Sequence, residues 1–175
     1  MNKKYIFPIS IGLSDGIITA LILASGGIIG RSSSIDLFEA FRISFGSAFA
    51  GAFSYFIAQY AGLNEELHRT ALQLNLKSTD YLLKGHLGME IFVESLLGAF
   101  IAAFFGFLGA LIPLSSSLIV KNNIEIPLFL SYSSLALLGL FISKTTAGRA
   151  RFWITVMVIV GVIVTIAGYE LKLIV

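Results

Sequence analysis

The chain contains no cysteine and few charges for its length. Without cysteine there can be no disulfide, no thiolate metal site and no cysteine nucleophile. Charged residues make up 13% of the 175 residues, roughly half of the about 25% usual in soluble domains. The deficit is uneven: charges crowd into short stretches between long uncharged ones. A net charge of +2, with no basic aromatic groove, argues against nucleic acid as a partner. Histidine is nearly absent too, His68 and His86 both falling within residues 63–87. The chain also lacks a phosphate-binding glycine loop, an H-E-x-x-H motif and a nucleophile elbow. An intramembrane hydrolase needs a nucleophile beside a base or a metal, and no such pair is in view. These absences argue against an enzyme.

Apolar sequence is what the chain has in abundance. It is 57% hydrophobic, with a mean hydropathy of +0.91. Five apolar stretches cover residues 5–30, 39–62, 88–114, 126–143 and 152–175. Each approaches or exceeds the roughly 20 residues that carry a helix across a bilayer. None alternates with the period of two expected of a barrel strand. The expected fold is therefore all-α, a polytopic membrane protein of five transmembrane helices forming a single domain over 1–175. The 15 phenylalanines read as lipid-facing and packing residues rather than a stacking platform. Met1-Asn2-Lys3-Lys4 before an apolar run has the look of a signal peptide, with Ala24-Ser25-Gly26 as small residues for cleavage. However, the run is longer than the usual h-region of about 7–15 residues and contains Asp15, so it reads as a retained first helix. A cytoplasmic N-terminus puts Lys3, Lys4, Arg69, Lys77, Lys84, Lys144, Arg149 and Arg151 inside. Arg31, Arg42, Lys121 and Lys172 then lie outside, an excess that follows the positive-inside rule.

Asp15 is the first candidate for function, in Ser14-Asp15-Gly16-Ile17-Ile18-Thr19 within the first stretch. A carboxylate at the bilayer centre costs about 2.5–3.5 kcal/mol on insertion scales, so it usually pairs or lines a wet path. The alternative is that Asp15 caps a broken helix or bonds a neighbour. Few other polar groups lie at membrane depth: Thr19, Ser54, Tyr55, Gln59 and Tyr60, with Glu90 and Glu94 near the start of the third stretch. Asp15 and Thr19 share a helical face, as do Tyr55 and Gln59, and Glu90 and Glu94. Hard oxygen donors of this kind suit divalent cations such as magnesium, calcium, manganese or ferrous iron. Hydroxyls are equally ordinary interhelical glue, and Tyr60 can serve as an interfacial anchor.

Two stripes of small residues bear on packing. Gly46, Ala50, Ser54, Ala58 and Gly62 recur every fourth residue, as do Gly98, Ala102, Gly106 and Ala110. Such spacing lets another backbone approach one helical face, in the same chain or in a second copy. Residues 63–87 carry mixed charge and read as a cytoplasmic loop. Glu65 and His68 offer a weak metal signal there, while adjacent Glu65 and Glu66 cannot share a helical face.

The string Ser14-Asp15-Gly16-Ile17-Ile18-Thr19-Ala20 resembles the first-helix signature of the vacuolar iron transporter family. Residues 50–60, from Ala50-Gly51-Ala52 through Ser54-Tyr55 to Gln59-Tyr60, are similar to that family's Gly-Ala-x-Ser-Met-x-x-Gly-Glu-Tyr region. Gly109-Ala110-Leu111-Ile112-Pro113-Leu114 is close to its most recognisable string. The resemblance implies a five-helix protomer with a cytoplasmic N-terminus, paired as a homodimer whose first helices line a shared path. It also implies ferrous iron or manganese as the transported substrate, exchanged against protons, with no resident cofactor. A two-fold interface would bring two copies of Asp15 together, and neighbouring carboxylates are a means of trading protons for a metal ion. Two positions depart from the pattern: Tyr55 stands where the family has methionine, and Gln59 where it has glutamate. Residues 63–87 are too few for the large cytoplasmic metal-binding domain of plant-type members.

The sequence thus leads to an expected exporter of a divalent transition metal, with Asp15 as central ligand. Thr19, Ser54, Tyr55 and Gln59 would be supporting oxygens, and Glu90 and Glu94 a cation-attracting cytoplasmic mouth. A permease or channel for another small solute, and a non-transporting scaffold, are the alternatives. With no organelle signal read in it, the expected location is the plasma membrane of a prokaryote.

Overall fold

The computed structural model describes residues 5–28, 37–73, 85–119, 125–145 and 148–173. Five α-helices account for nearly all of them: α1 (Ile6–Ile28), α2 (Leu37–Gln73), α3 (His86–Ile119), α4 (Glu125–Thr145) and α5 (Ala150–Leu173). No strand occurs among the described residues. Three helices are long and apolar enough to cross a membrane, over Ile6–Leu23, His86–Ser115 and Ala150–Glu170. The apolar part of α4, Leu128–Lys144, is shorter. In α2, Glu39, Arg42, Gln59 and several serines dilute the apolar content.

Close contacts fix the helix directions. Gly12 of α1 faces Ala102 of α3, and Gly16 faces Gly106, so α1 and α3 run parallel. Tyr55 of α2 lies on Gly98 and Ala48 on Gly106, so α2 runs against α3. Gly139 of α4 abuts Trp153 while Gly161 of α5 meets Leu135 and Tyr132, an antiparallel pair. The Tyr132 hydroxyl joins that pair at 2.8 Å to Thr165, whose own proton goes to the Gly161 carbonyl. Gly168 near the end of α5 meets Ile22 near the end of α1, so α5 runs with α1, α4 runs against both, and each helix runs against the one before it. Helix α1 is central and packs against all four others.

Glycine is what permits the α1–α3 approach. A Cβ at Gly12 would collide with the Ala102 carbonyl, one at Gly16 with the Gly106 carbonyl, and one at Gly109 would stand 2.8 Å from the Leu13 oxygen. The small-residue stripe of α3 is thus spent inside the chain, with Gly98, Ala102, Gly106 and Ala110 buried. The α2 stripe is not: Gly46, Ala50, Ser54, Ala58 and Gly62 are exposed, and nothing lies within 4 Å of a Cβ at Gly46 or Gly62. Beside it Phe41, Phe45, Phe49 and Phe53 are also exposed. Apolar exposure on this scale suits a lipid or protein neighbour rather than water.

The loop expected over 63–87 is corrected in its first part, since α2 continues unbroken to Gln73. No glycine or proline interrupts Leu63 through Gln73, and Arg69 donates to Glu65 one turn back at 2.6 Å. Mixed charge there marks a solvated helical face rather than a loop. Residues 74–84 lie outside the described residues. At 37 residues, α2 is about 55 Å long, well beyond a hydrocarbon core of about 30 Å. By these directions Glu65, Glu66, Arg69, Glu90, Lys144, Arg149 and Arg151 fall at the end of the bundle where α1 and α3 begin.

Candidate functional site

A groove of about 630 Å³ runs between α1 and α2. Helix α1 contributes Phe7, Ile11, Ser14, Asp15 and Ile18, which recur at helical spacing on one face. Helix α2 contributes Ala50, Gly51, Ser54, Tyr55, Ala58 and Gln59. Four of the residues singled out from the sequence, Asp15, Ser54, Tyr55 and Gln59, therefore share one cleft.

The Asp15 carboxylate is half-buried near the middle of α1, and its Oδ2 lies directly against Gly51. Any side chain at 51 would crowd the oxygen, so this glycine sets how far the carboxylate extends toward α2. Among the described residues, no side chain donates to the carboxylate and no cation pairs with it. Ser54, Tyr55 and Gln59 likewise make no side-chain hydrogen bond among the described residues. Elsewhere the hydroxyls are committed: Ser44, Ser95, Ser134 and Thr165 each donate to a carbonyl of their own helix at 2.8 Å. The groove thus brings together a carboxylate, a hydroxyl, a phenol and a carboxamide that are not bonded to other side chains among the described residues, a polar set able to meet a ligand or water.

Thr19 stands apart from this set. Its hydroxyl donates to the Asp15 backbone carbonyl at 2.9 Å and accepts from Ser47 at 3.0 Å, tying α1 to α2 one turn beyond the groove. Ser14 is at the groove but gives its proton to the Ile11 carbonyl at 2.9 Å. Tyr55 is mostly buried at 7% exposure, with Ala99 and Ala102 around it. Its ring fills the space over Gly98, where a Cβ would come within 2.6 Å of the ring.

Glu90 and Glu94 line a separate hollow of about 340 Å³ with His86, Met89 and Val93, all on the first turns of α3. Glu94 belongs to this hollow and Tyr55 to the groove, and no residue lines both. Glu65 is engaged by Arg69, and Glu66 and His68 are exposed farther along α2. Among the described residues, no three histidine, aspartate or glutamate side chains come together as a metal cluster. Among the described residues, Asp15 is the single carboxylate lining the groove.

Gly51 and Ser47 were not singled out from the sequence. Gly51 follows the signal of a small residue opposite a membrane-depth acid. Nothing in the spacing marks Ser47 as the partner of Thr19. The chain matches no protein-family model and no curated protein.

Proposed function

We propose that the chain is a membrane transporter that moves a divalent transition metal, ferrous iron or manganese, out of the cytoplasm in exchange for protons. The observation that carries this reading is the Asp15 carboxylate, without a charged or hydrogen-bonding side-chain partner among the described residues, in a groove with the uncommitted oxygens of Ser54, Tyr55 and Gln59. Leaving a carboxylate so at membrane depth is costly, and a passing cation offsets that cost. Oxygen donors favour a hard or borderline divalent ion.

In this reading all five helices span the bilayer with the N-terminus inside. The antiparallel succession of helices supports it, as does the gathering of Lys144, Arg149 and Arg151 where α1 begins. The working unit is a homodimer. One carboxylate is a poor site for a divalent ion, and the groove opens beside the uncovered α2 stripe, through which a second copy can approach closely. Two grooves facing across a two-fold axis supply two carboxylates. Likeness to the vacuolar iron transporter signature at Asp15-Gly16 and around Ser54 supports the same class of substrate.

Competition in proteoliposomes tests the substrate class. Manganese uptake should be inhibited by ferrous iron and cobalt. A purified, folded protein that carries none of these metals contradicts the proposal and favours a permease for another solute.

A further inference from the structure

A second cleft, of about 380 Å³, opens on the other side of α1, where α3 and α4 diverge. Ile9 and Ile17 of α1, Phe105 and Ile112 of α3, and Leu138 and Phe141 of α4 form its walls. Its hydroxyl, on Ser134, is already given to the Leu130 carbonyl at 2.8 Å. The walls therefore offer no free hydrogen-bonding side chain, and the cleft suits hydrocarbon. From Ile9 to Ile17 it extends about 12 Å along α1, parallel to the direction of lipid chains.

Past Phe141, the last α4 residue of the cleft wall, the chain turns basic. Lys144 follows Phe141 by three residues and Leu137 by seven, on the α4 face that lines the cleft. Arg149 follows across the turn, its carbonyl accepting from the Phe152 and Trp153 amides at 3.0 and 3.3 Å, which fixes it at the start of α5. Lys144, Arg149 and Arg151 are exposed, and no acidic side chain among the described residues pairs with any of them. A second copy packed here about an axis along the membrane normal would bring the same cations to the same level, like against like. A phospholipid with an anionic headgroup meets both requirements, chain in the cleft and headgroup on the cations.

We propose that the α1–α3–α4 cleft is a binding site for one acyl chain of an anionic phospholipid whose headgroup rests on Lys144 and Arg149. The inference needs only insertion in a bilayer, so it stands or falls separately from metal transport.

The test is lipid binding by the purified, delipidated chain, measured by native mass spectrometry with phosphatidylglycerol and phosphatidylcholine of identical chains. Phosphatidylglycerol should be retained in preference. Lys144→Gln and Arg149→Gln should each reduce that preference about fivefold. Ile112→Trp, which fills the cleft from its open side, should weaken both lipids while leaving the cations in place. Equal binding of the two lipids, or a preference that survives both glutamine substitutions, overturns the headgroup assignment. Full lipid retention in Ile112→Trp overturns the cleft.

Discussion

Gly51→Ala separates the site from the scaffold that carries it. A Cβ at 51 would collide with Asp15 Oδ2, and ordinary contact begins near 3.4 Å. The carboxylate oxygen must therefore retreat by about 1 Å or rotate away. Metal ligands tolerate only about 0.2 Å of misplacement, so the apparent affinity for metal should fall by roughly tenfold or more. Stability should move the other way or not at all. Gly51 lies within α2, and alanine is favoured over glycine in a helix by up to about 1 kcal/mol. The assay pairs thermal unfolding in detergent with the concentration dependence of manganese flux in liposomes. A protein at least as stable as the parent, with a raised half-saturation concentration, is expected. Unaltered flux would refute the reasoning, because the position of Asp15 would then not matter. A loss of stability alone would make the Asp15–Gly51 contact a packing feature.

Three further substitutions probe the frame and the groove. Gly16→Val drives a side chain into the Gly106 carbonyl and should lower stability by about 1–3 kcal/mol. Unchanged unfolding in detergent would show that α1 and α3 do not need to be so close. Gln59→Glu adds a carboxylate to the groove and should strengthen metal binding by at least about threefold. Equal affinity by calorimetry would mean that position 59 does not meet the ion. Tyr132→Phe removes the bond to Thr165 and should cost about 0.6 kcal/mol with flux retained. Loss of flux would tie the α4–α5 contact to transport.

Helix number and order were legible because apolar stretches separated by charges report directly on which residues avoid water. The run from Leu63 to Gln73 reads as loop in sequence because solvated residues carry the same charges whether helical or not. Its readable signal was the Glu65–Arg69 spacing, with no glycine or proline between. The two small-residue stripes look alike in sequence, yet one is buried against α1 and α2 and the other is uncovered. Periodicity reports a face and says nothing of what lies opposite it. For the same reason Asp15, Ser54, Tyr55 and Gln59 could be named, but their convergence depends on the register of α2 against α1. Thr19 shows the limit most clearly: its face is right, and its hydroxyl is taken by Asp15's own carbonyl and Ser47. Helical wheels carry no information about such competition.

The most direct test of the account is metal flux through Asp15→Asn in proteoliposomes, with and without a pH gradient, beside the parent protein. Asparagine keeps the size of the side chain and removes its charge, so the fold should persist. The account predicts saturable flux of ferrous iron or manganese by the parent, driven by the gradient, and none by the variant. Undiminished flux through a folded Asp15→Asn protein would contradict it.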